Sequence, residues 1–136
     1  MAAEAVLVKI LSSNGLETRT VADGTGLEKG TILKFSADPN TAAASSADGD
    51  LFAGILAEEK VASDGQTEVS VWMRDAIFAL TTGASHTGVL GNHCSIVGAN
   101  LVGDADVTTL TDFGEIVGRF LETASNDEVV QVSLGQ

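Results

Sequence analysis

The sequence predicts an all-β protein: a small β-barrel or sandwich with glycine-rich turns, one long surface loop and little helix. Three observations predict it. Apolar side chains recur at every second position in several short runs, the period of a half-buried strand. Glycines number 15 against a single proline, so sharp turns are frequent. The apolar share of 44% rests mainly on alanine and valine, with aromatics at 4% and no tyrosine, which suits short, thin strands.

Taken in order, Val6, Val8 and Ile10 alternate with Leu7, Lys9 and Leu11 and form the first strand candidate. Thr31–Phe35 and Phe52–Ala57 are the next two. Between them Ala37–Asp50 reads as one surface loop. It opens on the turn sequence Asp38-Pro39-Asn40, closes on Asp48-Gly49-Asp50, and its centre, TAAASSA, has no apolar face. Ala57–Ala62 is long enough for a single helical turn. In Thr67–Met73, Val69, Val71 and Met73 share one face while Glu68, Ser70 and Trp72 share the other. The alternation resumes over Ala76–Leu80 after a bend or bulge at Arg74-Asp75. His93–Val97 and Glu115–Glu122 are further short strands, and Val130, Val132 and Leu134 alternate with Gln131 and Ser133 in the last. Strands so spaced, with glycines between them, argue for a barrel or sandwich.

One internal echo stands out. Phe52 to Trp72 and Glu115 to Leu134 each place a glycine, Gly54 or Gly118, four residues before a glutamate, Glu58 or Glu122. Each then passes an acidic turn into a valine-alternating strand. Two similar hairpins in one barrel-like core account for it, as does the general likeness of hairpins with polar turns.

A chain of 136 residues is one domain's worth, large enough to build a core without staples. Residues 1–14 read as an N-terminal strand or arm, and residues 15–136 as a single β-rich domain. Seven basic against 19 acidic residues give a net charge of −12. That balance disfavours a nucleic-acid backbone or an anionic membrane as partner, because both require clustered Lys and Arg. The lone cysteine, Cys94, closes no intrachain disulfide. No apolar run approaches the roughly 20 residues of a membrane helix. The acidic start MAAEAVLVKIL, interrupted by Lys9, does not read as a signal peptide.

Motifs with chemistry are weak. In DGTGLEKG the third glycine, Gly30, comes one place too late for a dinucleotide loop, and Asp23 and Glu28 would repel phosphate. His86, His93 and Cys94 have no paired cluster of the kind that zinc sites use. Ser85 adjoins His86, but GASHTG is not a nucleophile elbow. Asp48 and Asp50, like Asp104 and Asp106, match no calcium loop. The expectation is therefore no catalytic residue, no metal and no cofactor. Trp72, on the face opposite the valines, is expected to be covered by another sheet, a loop or a neighbouring subunit, and is the candidate oligomer-interface residue.

The order of GLEKGTILKFSADPNTAAASSADGD, FAGILAEEKVASDGQTEVSVWMRDAIFAL and GEIVGRFLETASNDEVVQVSLG resembles the small head decoration, or cement, proteins of tailed bacteriophages, in particular the lambda-type decoration proteins. The resemblance spans roughly Gly15 to Gly135. It implies a non-enzymatic homotrimer on the outer surface of the virion, assembled in the host cytoplasm and bridging major capsid protein subunits at three-fold and quasi-three-fold sites. It also implies an N-terminal arm that orders on the shell, here within Met1–Lys9, with Ala2, Ala3, Glu4, Ala5 and Val6 as the capsid-binding candidates. The alternation of AEAVLVKIL equally suits a barrel strand. A different virion β-domain, in a tail, spike or turret, is the other reading.

Overall fold

The computed structural model describes residues 3–105 and 113–135. Among these, eleven strands account for nearly all regular structure: β1 Val6–Ile10, β2 Leu16–Thr20, β3 Ile32–Ala37, β4 Thr41–Ala44, β5 Phe52–Leu56, β6 Glu68–Trp72, β7 Ala76–Thr82, β8 His93–Gly98, β9 Leu101–Asp104, β10 Ile116–Phe120 and β11 Val129–Leu134. Two short 3-10 turns, Ser13–Gly15 and Phe113–Glu115, are the only helical pieces among the described residues. The protein is all-β, as the alternation predicts.

The strands close into two barrels with the same winding. The first runs β2-β4-β3-β5-β6. The second runs β7-β9-β8-β10-β11, closed by the parallel β7–β9 pairing, with β1 added to the outer side of β7. The registers match step by step. Leu16 opposite Trp72 and Thr20 opposite Glu68 in the first barrel correspond to Ile77 opposite Ser133 and Thr81 opposite Val129 in the second. Leu33 opposite Ala44 and Ala37 opposite Thr41 correspond to Cys94 opposite Asp104 and Gly98 opposite Leu101, with a bulge at the same step. Ile32 opposite Ile55 corresponds to His93 opposite Arg119. Even the left-handed residues Asn40 and Asn100, φ 47° and 58°, fall at equivalent turns. The hairpin echo at Phe52–Trp72 and Glu115–Leu134 is thus the visible end of a duplication that covers both barrels.

Each barrel fills its own interior. Val21, Leu33, Ala42, Ala53, Leu56, Val69 and Val71 form the first interior. Their counterparts in the second, Cys94, Val102, Val117, Phe120, Val130 and Val132, belong to a larger cluster that also takes in Ile32, Ile55 and Trp72 from the outside of the first barrel. One lateral face of the first barrel therefore packs on the second. Polar contacts fix the seam. Asn100 Oδ1 accepts the Ile32 N–H at 2.8 Å, Ser45 Oγ donates to the Gly98 carbonyl at 3.2 Å and accepts the Asn100 N–H at 3.0 Å.

Two expectations need correction, and a third is narrowed. Ala37–Asp50 is not one loop, because Thr41–Ala44 forms β4 between β3 and β2. Its alanines look featureless in sequence, yet Ala42 is buried in the barrel, where a thin side chain is what the closed ring accommodates. Ala57–Ala62 forms no helical turn; Lys60 instead makes an isolated bridge to Leu27. Trp72 is only 6% exposed. Of the coverings expected for it, another sheet is the one observed: its side chain fills the seam between the barrels.

Candidate interaction surface

The first ten residues bear on the arm reading. Ala2 lies outside the described residues. Ala5 is buried and its N–H donates to the Gly30 carbonyl at 2.8 Å, so the chain is tied to the first barrel before β1 begins. β1 then pairs antiparallel with β7, Val6 opposite Ala79 and Ile10 opposite Ala76. Ala3 and Glu4 are half-buried. Of the four described candidate residues, only Val6 presents a large exposed apolar side chain, at 63%.

β1 forms the end of its sheet, and its far side pairs with no strand among the described residues. Val6, Val8 and Ile10 are all exposed, and Leu11 follows them at 53%. Only Leu7 turns inward against the core. A bulge between Leu7 and Lys9 breaks the ladder, and Lys9 places a charge on the edge. Bulges and edge lysines are the ordinary devices that stop indiscriminate strand addition. The result is an apolar edge with a polar interruption, open to a partner that can pair around it.

The residues weighed for chemistry are dispersed or occupied. Cys94 is fully buried and burial pushes its thiol up to about 12, so it is no thiolate nucleophile or ligand. His86 packs its ring against the backbone of Gly83 and Gly103. His93 Nε2 lies 3.3 Å from an Arg119 guanidinium nitrogen. Asp50 Oδ2 accepts the Ser46 and Ala47 N–H groups at 2.8 and 3.0 Å, which makes it a turn-closing side chain. Asp106 lies outside the described residues. Among the described residues no three His, Cys, Asp or Glu side chains gather as a metal site would require.

Two polar clusters escaped the sequence reading. Lys60 is buried, and its ammonium reaches Asp64 Oδ1 at 2.6 Å, the Val61 carbonyl at 2.6 Å, Asp23 Oδ1 at 3.0 Å and the Asp23 carbonyl at 3.1 Å. Burial alone would lower its pKa, but the Asp64 and Asp23 carboxylates outweigh it and hold Lys60 above its ordinary value. The pairing explains how an ammonium is tolerated inside. Arg19, also buried, donates to the Ala53 carbonyl and to Glu17 Oε1 at 3.0 and 2.9 Å and stacks on the Phe35 ring at 4.9 Å. Arg74 adds a second bond to Glu17 at 2.8 Å. Burial opposes ionisation of Glu17, but the two guanidiniums prevail and lower its pKa. Neither cluster has a sequence signature, because its members are brought together only by barrel closure.

Compared with family models and with curated proteins, the chain matches none.

Proposed function

We propose that this protein is a capsid decoration protein, a homotrimer bound to the outer surface of an icosahedral virion head, where it bridges major capsid protein subunits and stabilises the shell. The observation that carries the reading is the β1 edge: Val6, Val8, Ile10 and Leu11 exposed on the end strand of a sheet, beside a sequence that resembles the decoration proteins. An exposed apolar strand edge supports recognition by strand pairing and side-chain burial. Many such modest contacts on one particle add through avidity. The net charge of −12 supports the same reading, since an acidic outer coat keeps particles mutually repulsive.

In this reading β1 is a preformed edge rather than a loose arm, with Ala3 to Val6 leading into it. The test is sedimentation of purified protein with expanded, undecorated heads of its own virus. Saturable co-sedimentation is expected, and Val8→Asp with Ile10→Asp should abolish it while leaving the circular dichroism spectrum unchanged. Absence of saturable binding overturns the proposal. Electron microscopy placing the protein on a tail, spike or turret instead supports the other virion reading.

A further inference from the structure

The second barrel carries a strand that its closure does not use. The ring β7-β9-β8-β10-β11 closes through the β7–β9 pairing, and β1 lies outside it, along Ala76–Ala79 of β7. The first barrel is the internal control. Its β2, the counterpart of β7, pairs with β6 and β4, and that ring closes with no third strand on β2 among the described residues. A barrel of this fold therefore keeps its shape without the strand that β1 represents.

Residues 3–11 are also thinly held. Ala5 is buried and Leu7 packs partly against the core. Val6, Val8, Lys9, Ile10 and Leu11 are exposed. The backbone is tied at the Ala5 N–H to the Gly30 carbonyl, along the interrupted β1–β7 ladder, and at the Leu11 and Ser12 N–H groups to the Asp75 carbonyl. Packing beneath the segment is incomplete. A cavity of about 30 Å³ is lined by Ala5 and Leu7 from the segment and by Leu56, Trp72 and Phe78 from the barrels. Few buried side chains and a solvent-exposed ladder characterise a unit that opens at less than the free energy of global unfolding.

We infer that residues 3–11 form a strap that opens as one unit while both barrels stay closed, and that its opening uncovers Trp72 and the β7 edge at Ile77–Ala79. The closed strap bridges the barrels, since Ala5 is bonded to Gly30 of the first and β1 to β7 of the second. Leu7 sits between the two pinned ends, at Gly30 and Asp75, so its departure from the core frees the ladder on both sides. Opening needs no ligand and no shell. It goes beyond the shell-binding reading and holds or fails without it.

Hydrogen exchange on the full chain, followed residue by residue in rising sub-denaturing urea, tests the strap. The Ala5, Leu11 and Ser12 amides should share one protection factor, about 100-fold or more below those of Val21, Ala57 and Thr82, with a weaker urea dependence. Those three reference amides bond within the barrels. Strap amides protected as well as the barrel amides, or each protected to a different degree, overturn the inference. Trp72 gives the second readout. Leu7→Asp should hold the strap open: Trp72 emission moves to longer wavelength and acrylamide quenches it several-fold more, while the circular dichroism keeps its β signature and urea unfolding stays cooperative. A disulfide between Val6→Cys and Ala79→Cys, which stand opposite each other, should hold the strap shut and raise its protection to that of the barrels. A Leu7→Asp chain that is unfolded, or one whose Trp72 is as shielded as in the parent, overturns the inference. So does a stapled chain whose strap exchanges as before.

Discussion

Glu58 and Glu122 occupy the same place in two different barrels. Glu58 accepts the Ser70 N–H at 3.0 Å, and Glu122 accepts the Gln131 N–H at 3.0 Å. Each glutamate leaves the strand that precedes it and turns back to cap the next strand of its hairpin. Around them the backbone repeats as well: Ala57 N–H donates to Ser70 O and Leu121 N–H to Gln131 O, both at 2.9 Å. A duplicated carboxylate that satisfies a strand amide is a structural device, and its energetics are open to measurement.

Acid titration should show the Glu58 device. The Ser70 N–H, and then the Gln66 side-chain amide, hold the Glu58 carboxyl below its ordinary 4.5. The unfolded chain therefore binds this proton more readily than the folded one. The stabilisation is complete above 4.5 and is lost as pH falls through the lower folded-state value. Glu58→Gln should flatten the acid limb of a stability–pH curve by lowering stability at neutral pH, with little change at pH values below the folded-state pKa. Glu58→Ala and Glu122→Ala should each cost about 1 kcal/mol at pH 7 by urea denaturation.

Lys60 should behave in the opposite sense. Its pKa stands above the ordinary 10.5 in the folded protein. Its contribution is fully present below 10.5 and is lost as pH rises through the folded-state value. Lys60→Met removes the donor and leaves Asp23, Asp64 and the Val61 carbonyl facing one another. The melting temperature should drop by several degrees at neutral pH, and the alkaline limb of the stability curve should flatten. An unchanged melting temperature would show that the cluster is dispensable.

Trp72 should report on the seam between the barrels. As the sole tryptophan, and a buried one, it should emit at short wavelength in the folded state and shift to the red in a single transition on unfolding. Trp72→Phe should be tolerated. Trp72→Ala should cost about 3–5 kcal/mol, read by denaturant midpoint. Its effect on oligomer mass should be nil in whatever fraction remains folded.

Gly54 should resist substitution. Its φ is 119°, and an added Cβ would stand 2.6 Å from Val71 Cγ2. Backbone conformation and space both exclude a side chain, so Gly54→Ala should cost about 3 kcal/mol or more. Gly118, the equivalent in the second barrel, is blocked by the Ser133 carbonyl. Gly24, which has nothing near its Cβ position, is the control: Gly24→Ala should be close to neutral in the same denaturation experiment.

Sequence reading succeeds where side chains alternate over a two-sided strand. β6, β7 and β11 have a clear buried face, Val69 and Val71, Phe78 and Leu80, Val130 and Val132, and period-two patterning identifies them. It fails at β2, where Arg19 points inward, paired with Glu17 and donating to the Ala53 and Thr18 carbonyls. It fails at β4, whose alanines carry almost no pattern. Half of the duplication is legible as Gly-x-x-x-Glu before a valine strand; the rest is hidden because the two barrels diverged to suit different neighbours, Leu80 in one and Arg19 in the other.

The all-β class and most of the strands are legible in the sequence alone, because alternation and turn residues are local properties. Not legible there are the closure of the strands into two barrels, the internal place of Trp72 and the apolar edge of β1, unpaired among the described residues. Those outcomes depend on which strand edges meet, and hydrogen bonds between distant strands leave no mark in local composition. The same non-local closure turned a glycine-rich, valine-patterned chain into two copies of one barrel, the first packed by one lateral face on the second.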